Sequence, residues 1–254
     1  MKWALLSDIH ANAQALGACL KHARAQGVDC FAILGDVVGY GAQPFEVVDQ
    51  VMQLAAQGAV VIRGNHDAMA VLPDPADLSV GASTAKWTHA QLNTGQRQFL
   101  ANLPLKAQHD QTLFVHASAE WPERWRYIDR PEVAQACLDA AATDQAHRVF
   151  VGHVHHQFVY YRGTGRQLMS FKPTPGVPIP MPSHRQWVVT VGSVGQPRDG
   201  DPRASYVIAE TGSDTEPVVV RFRRVPYAAE TTCRKIHAIP DLDRYLGDRL
   251  LQGR

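Results

Sequence analysis

Cysteine is sparse in this sequence. Cys19, Cys30, Cys137 and Cys233 are scattered, and no two form a CxxC pair. That argues against a disulfide framework or a thiolate zinc knot, and the four read as small buried residues of a reducing compartment. No apolar run approaches the roughly 20 residues that span a bilayer. The opening Lys2-Trp3-Ala4-Leu5-Leu6 is too short for a signal peptide and runs into polar residues, so a cytoplasmic location is expected. An excess of one charge is missing too. There are 25 Lys and Arg against 24 Asp and Glu, a formal net charge of +1 and no block of like charge. Neither a nucleic-acid duplex nor an anionic membrane is expected as partner. No internal repeat is present. What remains is a soluble globular composition, 254 residues with 45% hydrophobic, able to bury a substantial core.

Short apolar runs end repeatedly in polar, metal-competent residues. Trp3 to Leu6 is of strand length and stops at Ser7-Asp8-Ile9-His10. Asn12 can cap a helix that carries Ala15, Leu16, Cys19, Leu20 and Ala23 at helical spacing and closes at Gly27. Cys30 to Leu34 is a second strand, ending in Gly35-Asp36. Pro44 opens a second helix through Val47, Val48, Val51 and Leu54, ended by Gly58. Ala59 to Ile62 is a third strand, ending in Arg63-Gly64-Asn65-His66-Asp67. This β-α-β-α-β order predicts a parallel sheet covered by helices, with ligands at the C-terminal edge of its strands.

Residues from about Ser79 to Leu103 read as a helical cap beside the sheet. Leu105 to Gln108 and Thr112 to Val115 form a hairpin that delivers His116, and Pro131 opens a helix through Leu138. Val149 to Val151 is a buried strand that ends in Gly152-His153-Val154-His155, two imidazoles two positions apart. Strands follow at Gln157 to Tyr161, Gln167 to Phe171 and Gln186 to Val191, the last ending in Gly192-Ser193-Val194-Gly195. Lys172 to Ser183 holds five prolines and predicts an exposed loop. Ala204 to Ala209 and Pro217 to Val225 are assigned to a second, mostly antiparallel sheet, and Leu242 to Leu251 to a closing helix. The expected architecture is α/β: a four-layer αββα sandwich of two mixed β-sheets flanked by helices, one domain over residues 1–254.

The strand-end residues are Asp8, His10, Asp36, Asn65, His66, Asp67, His116, His153 and His155. Carboxylate, imidazole and amide without thiolate suit Mn, Fe, Zn or Co better than a structural zinc. That set is more than one ion can take and enough for two, and a carboxylate is a natural bridge. Two ions about 3.5–4 Å apart can activate a water and clamp both oxygens of a phosphoryl displacement.

With Asp8-Ile9-His10, Gly35-Asp36, Gly64-Asn65-His66-Asp67, His116 and Gly152-His153-Val154-His155 in that order, the sequence resembles the calcineurin-like metallophosphoesterases. Their blocks are D-x-H, G-D, G-N-H-[DE], an isolated H and G-H-x-H. The resemblance implies that Asp8, His10 and His155 hold one metal, that Asn65, His116 and His153 hold the other, and that Asp36 bridges. It implies that His66 protonates the leaving oxygen and that Asp67 orients His66 or sharpens its charge. Two divalent ions are expected, Mn first, with Fe, Zn, Co or Ni as alternatives. The stretches around Tyr40, around Arg198 and at the C-terminus look like a compact bacterial branch that includes small phosphodiesterases and dinucleoside-polyphosphate hydrolases. Ala11, Ala42 and Val154 depart from the usual residues without removing a ligand, whereas Ala117-Ser118-Ala119-Glu120-Trp121-Pro122 replaces the usual run after His116 and leaves the pocket wall open.

The expected substrate is therefore a small phosphodiester or nucleotide polyphosphate. The alternatives are a phosphomonoesterase or serine/threonine protein phosphatase, disfavoured by the missing arginines in the two glycine blocks, and a catalytically silent scaffold. Asn12, Tyr40 and Arg198 are candidate substrate contacts. For Asn12 a helix cap is preferred, for Tyr40 packing on the cap is at least as good, and for Arg198 a pair with Asp199 or Asp201 is slightly favoured. Trp121 and Trp125 are assigned to packing under a loop. His22, His89, His109, His147, His156, His184 and His237 are left as surface or packing residues.

Overall fold

Alternation along the central strands decides the layers. In β1 (Lys2–Leu6), Ala4 and Leu6 pack with α1 (Ala13–Ala25) and α2 (Pro44–Ala56), while Trp3 and Leu5 point the other way. A computed structural model describes residues 1–163, 165, 167–211 and 217–254. β2 (Cys30–Leu34) and β3 (Val60–Ile62) extend β1 as parallel neighbours. After β3 come α3 (Asn65–Val71), α4 (Val80–Gln91) and α5 (Thr94–Asn102). The last two, the expected cap, pack on α2 and α3.

A second sheet begins with the hairpin of β4 (Lys106–His109) and β5 (Thr112–Val115). Then follow α6 (Pro131–Thr143), β6 (Arg148–Val151), β7 (Gln157–Arg162) and β8 (Leu168–Phe171). The chain continues through β9 (Pro178–Met181), β10 (Gln186–Val191), β11 (Ala204–Glu210), β12 (Val218–Val225), α7 (Ala229–His237) and α8 (Tyr245–Asp248). The two six-stranded sheets have the orders β3-β2-β1-β11-β12-β9 and β4-β5-β6-β10-β7-β8, and each mixes parallel and antiparallel pairs. Trp3, Leu5, Phe114, Phe150, Val189, Val207 and Phe222 fill the space between the sheets. On the opposite face of the second sheet, Leu113, Val149, Val151 and Val188 pack on Val133, Cys137 and Leu138 of α6. The result is the expected four-layer αββα sandwich. Among the described residues no helix is long and apolar enough to cross a membrane.

Two expectations need correction. β11 and β12 belong to the first sheet, because β11 pairs antiparallel with the free side of β1, Ala4 opposite Ile208. Tyr206 and Ile208 then face α1, while Val207 and Ala209 face the second sheet. A strand buried on both faces has the same apolar pattern in either sheet. The proline-rich loop is also not wholly irregular. β9 pairs with β12, Val220 opposite Ile179, at the outer edge of the first sheet. Proline is tolerated there because an edge strand has one side with no ladder to donate to.

The inter-sheet layer should be the most sensitive part of the core. Phe150, 1% exposed, fills it from β6. Phe150→Ala is expected to lower unfolding free energy by about 3–5 kcal/mol in urea denaturation; a loss under about 1 kcal/mol would contradict this packing.

Candidate metal centre

The parallel strands of both sheets point their C-terminal ends at one rim. β1, β2 and β3 bring Asp8, His10, Asp36 and Asn65 from one sheet; β5 and β6 bring His116, His153 and His155 from the other. At this rim the backbone turns sharply. Asp8, His10, Asp36, His153 and His155 have φ of 53°, 49°, 51°, 66° and 60°. Such left-handed conformations cost non-glycine residues on the order of 1–3 kcal/mol each and persist only where the surroundings enforce them. A cross-lattice of hydrogen bonds does so. The Asp8 N–H donates to Gly35 O (3.1 Å), His10 N–H to Asp36 O (3.0 Å), Gly152 N–H to His116 O (2.9 Å) and Gly195 N–H to Asp8 O (2.9 Å). The His153 N–H donates to Asp8 Oδ2 (2.9 Å) and the His66 N–H to Asp36 Oδ1 (2.8 Å). Glycine is required at Gly35, Gly64, Gly152 and Gly195, where a Cβ would meet a neighbour under 3.0 Å away. A Cβ on Gly64 would collide with the Asp36 carboxylate, and one on Gly152 with Ser7 and Asp8.

The side chains form two groups. Asp8, His10 and His155 offer donor atoms all within 4.8 Å of one another, and so do Asp36, His116 and His153. Asn65 Oδ1 lies 3.1 Å from His116 Nε2 and so joins the second group. Asp36 Oδ2 is 3.3 Å from His116 Nε2 and 3.8 Å from His10 Nε2, so one carboxylate faces both groups. Three imidazoles are turned by backbone carbonyls: His10 Nδ1 lies 3.0 Å from Val38 O, His116 Nδ1 2.6 Å from Leu34 O, and His155 Nδ1 2.6 Å from Gln196 O. Only an N–H satisfies a carbonyl, so Nε2 of each is aimed inward and offers a lone pair whenever it carries no proton. The consequence is a set of facing acceptors. His10 Nε2 and His155 Nε2 are 3.1 Å apart, Asp8 Oδ1 is 3.1 Å from His155 Nε2, and His153 Nε2 is buried without a hydrogen-bond partner. Facing acceptors in a buried site call for cations, and the donor set fits two divalent ions.

Titration behaviour has the same origin. Burial works to raise Asp8 and Asp36, yet the His155 imidazole holds Asp8, and His116 with His66 hold Asp36, well below the usual carboxylate range. Burial lowers His10 well below its ordinary value and His153 to about 4. Burial also works against protonated His116, but Asp36 outweighs it and pushes that imidazole up to about 9. A proton and a metal compete for the same His116 lone pair.

His66 lies beside the ligands, its ring 5.1 Å from His10 and 4.4 Å from Tyr40, with Nδ1 buried and unpartnered. Asp67 does not reach it, which corrects the expected orienting role. Its Oδ2 accepts the Gly64 N–H (2.9 Å) and its Oδ1 the Val38 N–H (3.1 Å). As the third residue of α3 it turns back to cap the helix and ties it to the loop after β2. Burial and the Asp36 charge push this carboxyl up to about 7.

Asn12 is the cap of α1. Its Oδ1 accepts the Ala15 N–H (3.1 Å) and the Thr232 hydroxyl (3.0 Å), and its Nδ2 donates to Gly195 O (2.9 Å). These bonds occupy Oδ1 and one of the two Nδ2 hydrogens of a buried amide. Arg198 is not paired with Asp199 or Asp201, because Arg224 holds the first and Arg203 the second. Instead it lies 5.8 Å over the Tyr40 ring, Nη2 donating to Gln196 Oε1 and Nε buried without a partner. Trp125 packs edge-on at 5.8 Å from the His116 ring, whereas Trp121 is 56% exposed. Tyr127, which sequence reasoning missed, stacks on His153 at 4.0 Å and stays half exposed; no spacing marks such an isolated aromatic. His156 turns to Val154 O (3.0 Å), outside both groups.

Residues 1–214 match the calcineurin-like phosphoesterase superfamily domain. The chain is 32% identical over 259 residues to the uncharacterized protein MJ0912 of Methanocaldococcus jannaschii, covering 99% of this chain and 98% of that protein. It is similar to the crystal structure of a metallophosphoesterase from Sphaerobacter thermophilus, with a TM-score of 0.84 and 32% identity over 100% of both chains. Hypothetical protein PH1004 from Pyrococcus horikoshii OT3 shares the fold, with a TM-score of 0.73 and 20% identity over 100% of this chain and 98% of that one.

Because Asp36 faces both groups, its charge is shared. Asp36→Asn is expected to lose both metals together by elemental analysis after dialysis; a variant that retains two ions per chain would contradict the bridge.

Proposed function

The chain belongs to the calcineurin-like phosphoesterase superfamily and is a metal-dependent phosphoric ester hydrolase, and on that premise we propose that it cleaves a small phosphodiester or nucleotide polyphosphate, with His66 as general acid and Mn²⁺ as the preferred ion. The observation that carries this reading is Asp36 Oδ2, set between His10 and His116 at 3.8 and 3.3 Å. Asp8, His10 and His155 would hold one ion, and Asn65, His116 and His153 the other, with Asp36 between. When bound, such a pair lowers the pKa of a coordinated water and neutralises charge on the phosphoryl oxygens.

The chain's own residues supply the rest. His66 Nδ1 has no partner to compete for it and stands beside the ligands, where it can give a proton to the departing oxygen. Burial lowers its pKa, so the proton is released readily. The unpartnered Arg198 Nε supplies a cation for a phosphate oxygen. Across the mouth, the half-exposed Tyr127 ring offers a flat face beside the second group, suited to an aryl or nucleobase substituent. The even charge balance favours a small molecule over a duplex.

With Mn²⁺, bis(p-nitrophenyl) phosphate and a dinucleoside polyphosphate should both turn over with higher kcat/KM than p-nitrophenyl phosphate. A preference for the monoester would overturn the substrate class, and no turnover with Mn²⁺, Co²⁺ or Ni²⁺ would overturn hydrolysis itself. His66→Ala should keep both metals but slow alkyl diesters by about 10²–10⁴-fold, and p-nitrophenyl esters far less. Since burial lowers the His66 pKa, its acid form persists only towards low pH, and the deficit for alkyl diesters should shrink as pH rises. Equal losses for both leaving groups would rule out the acid.

A further inference from the structure

A second set of ligating side chains converges away from the rim. Cys233 and His237, four residues apart, share one face of α7. α8 brings Asp248 against them. Cys233 Sγ lies 3.6 Å from His237 Nε2, and Asp248 Oδ1 lies 3.0 Å from the same nitrogen. All three donor atoms are within 4.8 Å of one another. The Arg244 carbonyl oxygen lies 3.1 Å from Nε2 but is taken up by the Gly247 and Asp248 N–H groups of α8, so the protein offers three donors here. Close approach depends on Gly247, where a Cβ would stand 2.9 Å from His237 Cδ2 and Nε2.

The two separations from Nε2 are close to those between neighbouring ligands of a tetrahedral ion. Zinc bonds of about 2.3 Å to sulfur and about 2.0–2.1 Å to nitrogen and oxygen hold S and N about 3.6 Å apart, and N and O about 3.3 Å apart. The thiol is buried, the imidazole partly so and the carboxylate exposed, which leaves a route in from solvent. We propose that Cys233, His237 and Asp248 form a third divalent-metal site, its fourth position facing solvent, selective for a thiophilic ion such as Zn²⁺, that ties α7 to α8. Binding releases the thiol proton, and Nε2 gives up any proton it carries, so that sulfur and nitrogen each donate a lone pair. Nδ1 then carries the imidazole proton, and the Arg244 guanidinium, now 3.2 Å from it, turns to solvent. Ile236, Leu246 and Leu250 pack together with Tyr40, whose ring lies against His66, so the ion stiffens the wall behind the general acid.

Cobalt separates this site from the rim, which has no sulfur donor. Metal-free protein titrated with Co²⁺ should develop a near-ultraviolet thiolate-to-cobalt charge-transfer band. The band should be lost in Cys233→Ser and need more Co²⁺ in Asp248→Asn. Zinc-loaded Cys233→Ser should carry one ion fewer per chain than wild type. No band in wild type with the rim loaded, or a band that survives in Cys233→Ser, would overturn the proposal. Should Cys233→Ser fail to fold, the wild-type band and its response to exposed Asp248→Asn decide the matter.

Discussion

The structure depends on a set of acceptors that cannot be at rest without cations. Nδ1 of His10, His116 and His155 is committed to backbone carbonyls, so their Nε2 lone pairs point at one another and at the Asp8 and Asp36 carboxylates. These groups are buried, and repulsion between buried groups is weakly screened. The protein holds the arrangement through left-handed backbone at five ligand positions, locked by hydrogen bonds between the loops that follow the strands. Rigid packing below the rim makes this possible, because strained residues stay put only on elements that cannot move.

Each group of donors spans both sheets. Asp8 and His10 follow β1 in the first sheet, and their companion His155 follows β6 in the second. Asp36 follows β2, and its companions His116 and His153 follow β5 and β6. Metals bound there would clasp the open edge of the sandwich opposite its apolar filling, so ligand binding and fold stability are linked. The helical elements add the reactive side chains around that clasp. α3 places His66 at its first turn, and Asp67, which looks catalytic in the sequence block, is what anchors α3.

The two convergent donor groups were legible because their members follow apolar runs and tight turns, and period-two alternation brought both His153 and His155 to the rim. The sheet partner of β11 was not legible, since a strand buried on both faces carries no mark of which sheet it joins, and β12 follows β11 through their antiparallel pairing. β9 was hidden by its prolines, which an edge position tolerates. The role of Asp67 depends on side-chain direction within α3, and the partner of Arg198 depends on Arg224 and Arg203 claiming its two acidic neighbours first. Cys233 and His237 stand at helical spacing, but Asp248 meets them only because α8 folds back across Gly247.

The most direct measurement is an anomalous difference map from a crystal grown with Mn²⁺. The account predicts two peaks at the rim about 3.5–4 Å apart with the Asp36 carboxylate between them. A single peak, or two peaks of which Asp36 touches only one, would contradict it.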